Sequence, residues 1–315
     1  MGTSMENLVN KDGQVSFGVF EQSPKTINFQ DFDLRNNMDN PISGLRKKMA
    51  VNQFQFIGLT GHDFILGIAI VNLKWVTNCF IYVYQPSSNT FKEYSWLKPF
   101  TLGAQISNEP NGGIWSFKNK HADVLISAER GRRTLKLNIK DEIKADVVID
   151  EDIKYDPLAV CCRAGYNGWV FTQKSTALDF SGNVEVYGQP VDTSELLASV
   201  DWSAGYMRRE TFWHWASLSC KASDGTKIGF NLAAGVNETS YTENGLWIDD
   251  KLIKLDRAEF VFDRNNRMNT WLVKSTDGKI DLRFEPEGER KEKLNTGFIA
   301  SNFTQVFGRY YGTVK

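Results

Sequence analysis

Apolar and polar residues alternate with a period of two along most of this chain, the pattern of strands that bury one face. Segments such as "QFQFIGL", "FILGIAIV", "CFIYVYQ", "ADVLISA", "TLKLNIK", "FWHWASL", "KIGFNLAA", "TWLVKS" and "KIDLRFEP" run five to eight residues, and turn-forming stretches ("SSN", "NGG", "ERGR", "SDG", "TDG", "PEGE") separate them. The pattern predicts an antiparallel meander. Two short helices are expected within it, "DTSELLASV" at 192–200, with Asp192, Thr193 or Ser194 as a cap, and "SGLRKKMA".

The pattern also repeats. "FQFIGL" (54–59), a turn and "FILGIAIVN" are echoed 159 positions later by "WHWASL" (213–218), a turn and "KIGFNLAAGVN". "IWSFKNKHADVLISAERGR" is answered in the same order by "TWLVKSTDGKIDLRFEPEGER". The expectation is an all-β, pseudo-duplicated chain of two antiparallel barrel-like or curved-sheet domains, because closing a sheet removes its exposed edges. The boundary is expected near the acidic, proline-containing "DEDIKYDPLAVCC", giving domains 1–155 and 156–315.

Composition supports this reading: 41% of the 315 residues are hydrophobic, enough for a sizeable core, and 13% are aromatic. The net charge of −1, with Lys and Arg scattered, lacks the basic footprint of a nucleic-acid binder. No apolar run is long enough for a transmembrane helix. The N-terminus shows no basic segment followed by an apolar one, and Gly2 lacks the Ser or Thr at position 6 that myristoylation favours, so a cytoplasmic protein is expected. Cys79, Cys161, Cys162 and Cys220 are too few and too irregular for a disulfide framework or a zinc site.

The candidate chemistry gathers in "DWSAGYMRRETFWHWASLSC". Four consecutive rings, Phe212 to Trp215, cannot all enter one core. Strand geometry places Trp213, Trp215 and Ser217 on one face and Phe212, His214 and Ala216 on the other. One face then meets a core, while the other either packs between domains or lines a cavity for an apolar small molecule. Asp201, Tyr206 and Arg209 lie just before the aromatic run, and Asn231 interrupts the apolar "KIGFNLAAG". Glu243 and Asn244 precede Trp247. Trp213, Trp215 and Trp247 are the expected walls, with Tyr206, Arg209, Asn231 and Asn244 as polar contacts. Glu243, His214 and Asp201 are the candidate acid–base groups. Metal-ligand spacing, dinucleotide and phosphate loops and a nucleophile elbow are all missing, so neither metal nor cofactor is expected.

The segments "DWSAGYMRRETFWHWASLS", "IGFNLAAGVNETSYTENGLWIDDKLIKL", "IDLRFEPEGERKEKLN" and "SNFTQVFGRYYGTV", with "ISGLRKKMAVNQFQFIGLTGHDFILGIAIVN" in the first half, resemble the DUF2804 family over nearly the whole chain. Ser203 and Asn244-Gly245 stand where the family's pattern has Thr and Asn-Ala. More distantly the chain is similar to AttH-like and hydroxyneurosporene synthase-like proteins. That resemblance implies two lipocalin-like (calycin) domains, which in some members handle isoprenoids or other lipophilic compounds. The resulting expectation is a binder of a lipophilic small molecule, with cofactor-free hydration, isomerisation or cyclisation as its chemistry and a possible homodimer as its state. The alternative is a non-catalytic structural or protein-interaction module.

Overall fold

The computed structural model of the protein describes residues 5–152, 154–208, 210–235, 241–295 and 300–315. The described residues form four antiparallel sheets. The first sheet orders Gly18–Phe20, Leu158–Ala164, Gly168–Leu178, Leu197–Tyr206, Asn52–Thr60, Ile65–Asn72, Val76–Gln85 and Thr90–Pro99. The second runs from Gln189–Pro190 through Phe180–Val186, Ile143–Asp150, Arg132–Ile139, Ala122–Glu129 and Gly113–Lys118 to Ala104–Gln105. A third, small sheet holds His214–Lys221, Lys227–Ala234, Gly245–Ile248 and Lys251–Lys254, and a fourth holds Ala258–Val261, Trp271–Ser275, Ile280–Asn295 and Ala300–Val314.

Ladders run across residue 155. Leu197–Tyr206 pairs in register with Asn52–Thr60, and Phe180–Val186 pairs with Ile143–Asp150, so strands from 158 to 206 share sheets with strands from the first half. The echo in the sequence also has a structural counterpart. Asn52–Thr60 onward and His214–Lys221 onward are both four-stranded meanders, and Gly113–Lys118 with Ala122–Glu129 forms a hairpin as Trp271–Ser275 does with Ile280–Asn295. Among the described residues no ladder closes these sheets into a barrel.

Period-two patterning explains the layers. In the second sheet Val124 and Ile126, Leu135 and Leu137, and Val147 and Ile149 all point inward, while Lys136 and Asp146 pair on the outer surface. The inward residues share one core with Ile57, Leu59 and Trp202 of the first sheet, with the Trp115 ring edge-on to Trp202 at 6.3 Å. The outer face of the first sheet is covered in turn. The small sheet lies over Gly168–Leu178, and its far face (Phe230, Leu232, Leu246) packs on Val273, Ile280 and Leu282 of the fourth. The long hairpin Ile280–Asn295/Ala300–Val314 then reaches back, stacking Phe307 on Tyr84 at 4.6 Å.

The expected helix at Gly44–Lys48 forms, but that at 192–200 does not. The Asp192 carboxylate accepts from Ser194 N in a local turn, and Leu197 onward is strand. Ladders on both sides, to Gly168–Leu178 and Asn52–Thr60, satisfy that backbone and override its helical propensity.

Candidate functional site

Gly168–Leu178 is central in its sheet and buried on both faces. Its outward side chains therefore meet the small sheet rather than water. A bulge between Ser175 and Leu178, with Ala177 at φ 56°, pushes this stretch outward. There Thr176 Oγ1 donates to Leu218 O at 2.6 Å and lies 2.9 Å from Ser219 Oγ, which accepts from Ala177 N. The approach is close enough to require Gly229 opposite, where an added Cβ would stand 2.5 Å from Thr176 Oγ1.

Two residues before this contact is Lys174, buried. Its ammonium is hydrogen-bonded to the Asp201 carboxylate of the neighbouring strand and lies 3.5 Å from Glu243 Oε2, whose segment leads into the small sheet. Burial acts against the charge on Lys174, but Asp201 and Glu243 more than offset it and hold the ammonium above its ordinary range. The second oxygen of Asp201 accepts from Ser203 Oγ at 3.1 Å, and Ser203 is 2.7 Å from Thr172 Oγ1. Asp201, Ser203, Thr172 and Lys174 thus form one chain of polar contacts on the outer face of the first sheet.

Beside this chain is a cavity of about 10 Å³, roughly the room of one water molecule. Lys174, Asp201, Ser175 and Asn231 bring polar groups to it, and Phe56 and Trp215, edge to face at 6.3 Å, form its apolar side. Among the described residues the buried Ser175 hydroxyl makes no hydrogen bond.

The expected site residues divide into two sets. Asp201, Glu243, Trp215 and Asn231 come together. Trp215 Nε1 donates to Asn231 Oδ1 at 2.8 Å, and Asn231 Nδ2 donates to the Glu243 carbonyl at 2.6 Å, so the Asn that interrupts the apolar strand positions the carboxylate segment. Asn244 lies next to this group but spends its amide on Ala233 N and Asp256 O. His214 stands on the opposite face of its strand from Trp215, against the rings of Phe260 and Phe262, so the structure does not bring it to Asp201 or Glu243. Tyr206 points into the core of the first two sheets and donates to Phe29 O at 3.0 Å; burial raises its phenol. Trp213 precedes the strand and is half exposed, whereas Trp247 is fully buried in the large core, stacked on Tyr155. The three indoles therefore do not wall one chamber, and only Trp215 reaches the cavity. Arg209 lies outside the described residues.

Nearby, Lys254 is partly buried, and its ammonium is hydrogen-bonded to the Thr242 hydroxyl. It donates to Asn244 O at 3.0 Å and Leu255 O at 2.7 Å, and burial lowers its amine to about 8. Cys162 donates to Tyr241 O at 3.0 Å, and burial pushes its thiol up to about 12. Among the described residues no group of three His, Cys, Asp or Glu side chains is arranged to hold a metal ion. No helix among them is long and apolar enough to cross a membrane, which leaves strands untested.

A family model described as a domain of unknown function, DUF2804, matches residues 2–315. The chain belongs to the DUF2804 family. Comparison with curated proteins gives no match. Solved structures similar to this DUF2804 chain include kievitone hydratase from Nectria haematococca, 12% identical over 84% of this chain and 85% of the other, with a TM-score of 0.46. A candidate AttH from Nitrosomonas europaea is 10% identical over 84% and 89%, TM-score 0.48. CghA is 10% identical over 92% and 91%, TM-score 0.47.

Sequence reasoning missed Lys174, the residue at the centre of the cluster. The signal was a cation within "GWVFTQKSTALDF", a strand-length run with aromatic and β-branched residues at its start. A charge in such a run must be paired or exposed. Phe56 lies in the repeated "FQFIGL", but its outward direction toward Trp215 depends on the register of a neighbouring sheet.

Proposed function

We propose that this DUF2804 protein binds a lipophilic, isoprenoid- or lipid-like small molecule against Phe212, Trp213 and Trp215 and adds or removes water at its double bond without a cofactor. The observation that carries this reading is a cavity of one-water size bounded on one side by a buried Lys–Asp pair and on the other by aromatic rings. Phe212, Trp213 and Trp215 expose apolar surface at the same end of the small sheet, and Trp215 extends from that surface to the cavity. An apolar body could rest on the rings while its reactive carbons meet the water.

In the hydration direction the water oxygen bonds to one alkene carbon as its proton passes to Asp201. The other carbon takes a proton from the Lys174 ammonium. Transfer along the Lys174–Asp201 hydrogen bond restores both groups, so the sum is addition of one water. Ser203, bonded to the other Asp201 oxygen, would orient the base, and Asn231 would hold Glu243 beside Lys174. Isomerisation would use the same pair without water.

A second reading has its own support. Lys174 joins carboxylates from two layers, Asp201 on the first sheet and Glu243 at the small sheet, as a purely structural clamp would. The two readings separate on binding. Native mass spectrometry after incubation with a panel of polyprenyl and fatty-chain enones should show a one-to-one adduct that a Trp215→Ala variant loses. A chain that binds none of the panel, with wild-type and variant alike, would favour the clamp.

A further inference from the structure

Trp75, Phe100 and Leu102 protrude at one end of the first pair of sheets, 60%, 50% and 61% exposed. Their positions are fixed by the backbone. Phe100 N donates to Trp75 O at 2.8 Å, Thr77 Oγ1 donates to Phe100 O at 2.6 Å, and the two rings lie 6.2 Å apart. Lys74 (φ 67°) and Phe100 (φ 54°) both adopt the left-handed conformation that bulky residues avoid, so the chain tolerates local strain in the turns that present these rings. Leu97, at the end of the adjoining strand, and Leu45, on the short helix Gly44–Lys48, add exposed aliphatic surface.

Cations surround this tip. Arg46, Lys47 and Lys48 lie on the helix, and Lys48 is close enough for its charge to add to the burial that lowers the Lys74 amine, which places the helix beside the Trp75 turn. On the other side Lys98 Nζ donates to Lys118 O at 2.7 Å and Gly103 O accepts from Lys118 N at 2.8 Å, bringing Lys98, Lys118 and Lys120 to the Phe100–Leu102 turn. Residues 44–50, 73–76, 97–104 and 118–121 contain no Asp or Glu, in a chain with 38 acidic and 37 basic residues. The nearest compensation in sequence is Asp123, which pairs with Lys118 at 2.5 Å.

We propose that this end of the protein docks on the surface of an anionic lipid bilayer, with Trp75, Phe100 and Leu102 entering the headgroup region and the lysine rim facing the acidic headgroups. Indole and aliphatic side chains on protruding turns favour the interface, and each nearby Lys or Arg adds attraction to an anionic surface. A protein partner is a poorer fit, because protein–protein interfaces are depleted in lysine whereas this rim is rich in it. The inference stands apart from the proposed reaction, since none of these residues touches Lys174, Asp201 or the cavity.

The test is flotation of the full chain with vesicles of phosphatidylcholine alone and of phosphatidylcholine mixed with phosphatidylserine. The wild-type chain should float with the mixed vesicles and less with the neutral ones, and salt near ~0.5 M should weaken the association by screening. Trp75→Ser/Phe100→Ser should lower partition about tenfold or more, since the insertion is apolar. Lys48→Glu/Lys120→Glu, exposed changes that leave the rings in place, should lower it on mixed vesicles only, and it reads the same surface if the aromatic variant fails to fold. Wild-type chain that stays in solution with both vesicles, or ring and charge variants that float as well as wild type, would overturn the proposal. So would sedimentation velocity showing that the rings instead hold two copies together.

Discussion

Trp247 Nε1 donates a 2.7 Å hydrogen bond to the carbonyl oxygen of Asp156, 91 positions earlier. The indole stacks on Tyr155, whose hydroxyl in turn bonds Thr176 N and O in the bulge of the first sheet. A side chain from the small sheet is therefore built into the core of the first two. This coupling dictates what its loss should do. Trp247→Ala should cost about 3–5 kcal/mol through the cavity it leaves, and Trp247→Phe about 1 kcal/mol for the hydrogen bond plus a smaller packing loss. Urea unfolding followed by circular dichroism checks both, and the Ala variant should also broaden the single transition as the layers uncouple.

The Lys174 cluster predicts a sharp non-additivity. Lys174→Met leaves the Asp201 and Glu243 carboxylates buried beside each other and should destabilise the fold by about 3–5 kcal/mol, whereas Lys174→Met/Asp201→Leu/Glu243→Leu should recover most of that loss. The pH dependence has a definite sign. Lys174 is held above its ordinary range in the folded state, so its contribution is complete below the unfolded value of 10.5 and fades as pH rises through the higher folded value. Thermal melts of wild type and Lys174→Met should therefore differ most below that range and least in strong alkali.

Lys254 acts in the opposite sense. Burial lowers its amine to about 8 from 10.5, so between those values the unfolded chain holds a proton that the folded chain has released, and stability should rise with pH across that window. Lys254→Met should flatten that rise. Denaturant midpoints at a series of pH values from about 8 to 10.5 give the comparison directly.

The returning hairpin is fastened at Arg290. Its guanidinium pairs with Glu93 and lies over the rings of Phe80, Tyr82 and Phe303 at 4.7, 5.2 and 4.8 Å. A lysine cannot reproduce that planar contact, so Arg290→Lys should lose nearly as much as Arg290→Met, about 2–4 kcal/mol. Hydrogen exchange should show the loss first in 82–84 and 303–307.

Much of the fold was legible in the sequence, because period-two alternation is a local signal. His214 and Trp215 do point to opposite faces, as their adjacency in a strand requires, and the four-stranded meanders recur in the order in which their motifs recur. What the alternation left out was which sheet covers which. Leu197–Tyr206 reads weakly alone, yet two ladders make it a central strand. The same limit governed the site. Asp201, Glu243, Trp215 and Asn231 were recognisable as polar or aromatic residues out of place, but their meeting point is Lys174, on a strand buried on both faces by two other layers. Trp247 looked like a cavity wall because nothing local shows that its indole reaches Asp156.

The central claim is that the Lys174–Asp201 pair activates one water against an apolar substrate. Incubation in oxygen-18 water with a lipophilic enone that binds the wild-type chain tests it most directly, with the product read by mass spectrometry. The account predicts one labelled oxygen per product with wild type, and none with an Asp201→Asn chain that binds the same enone and melts cooperatively. Binding without label in the wild type, or equal label in the Asn variant, would contradict it.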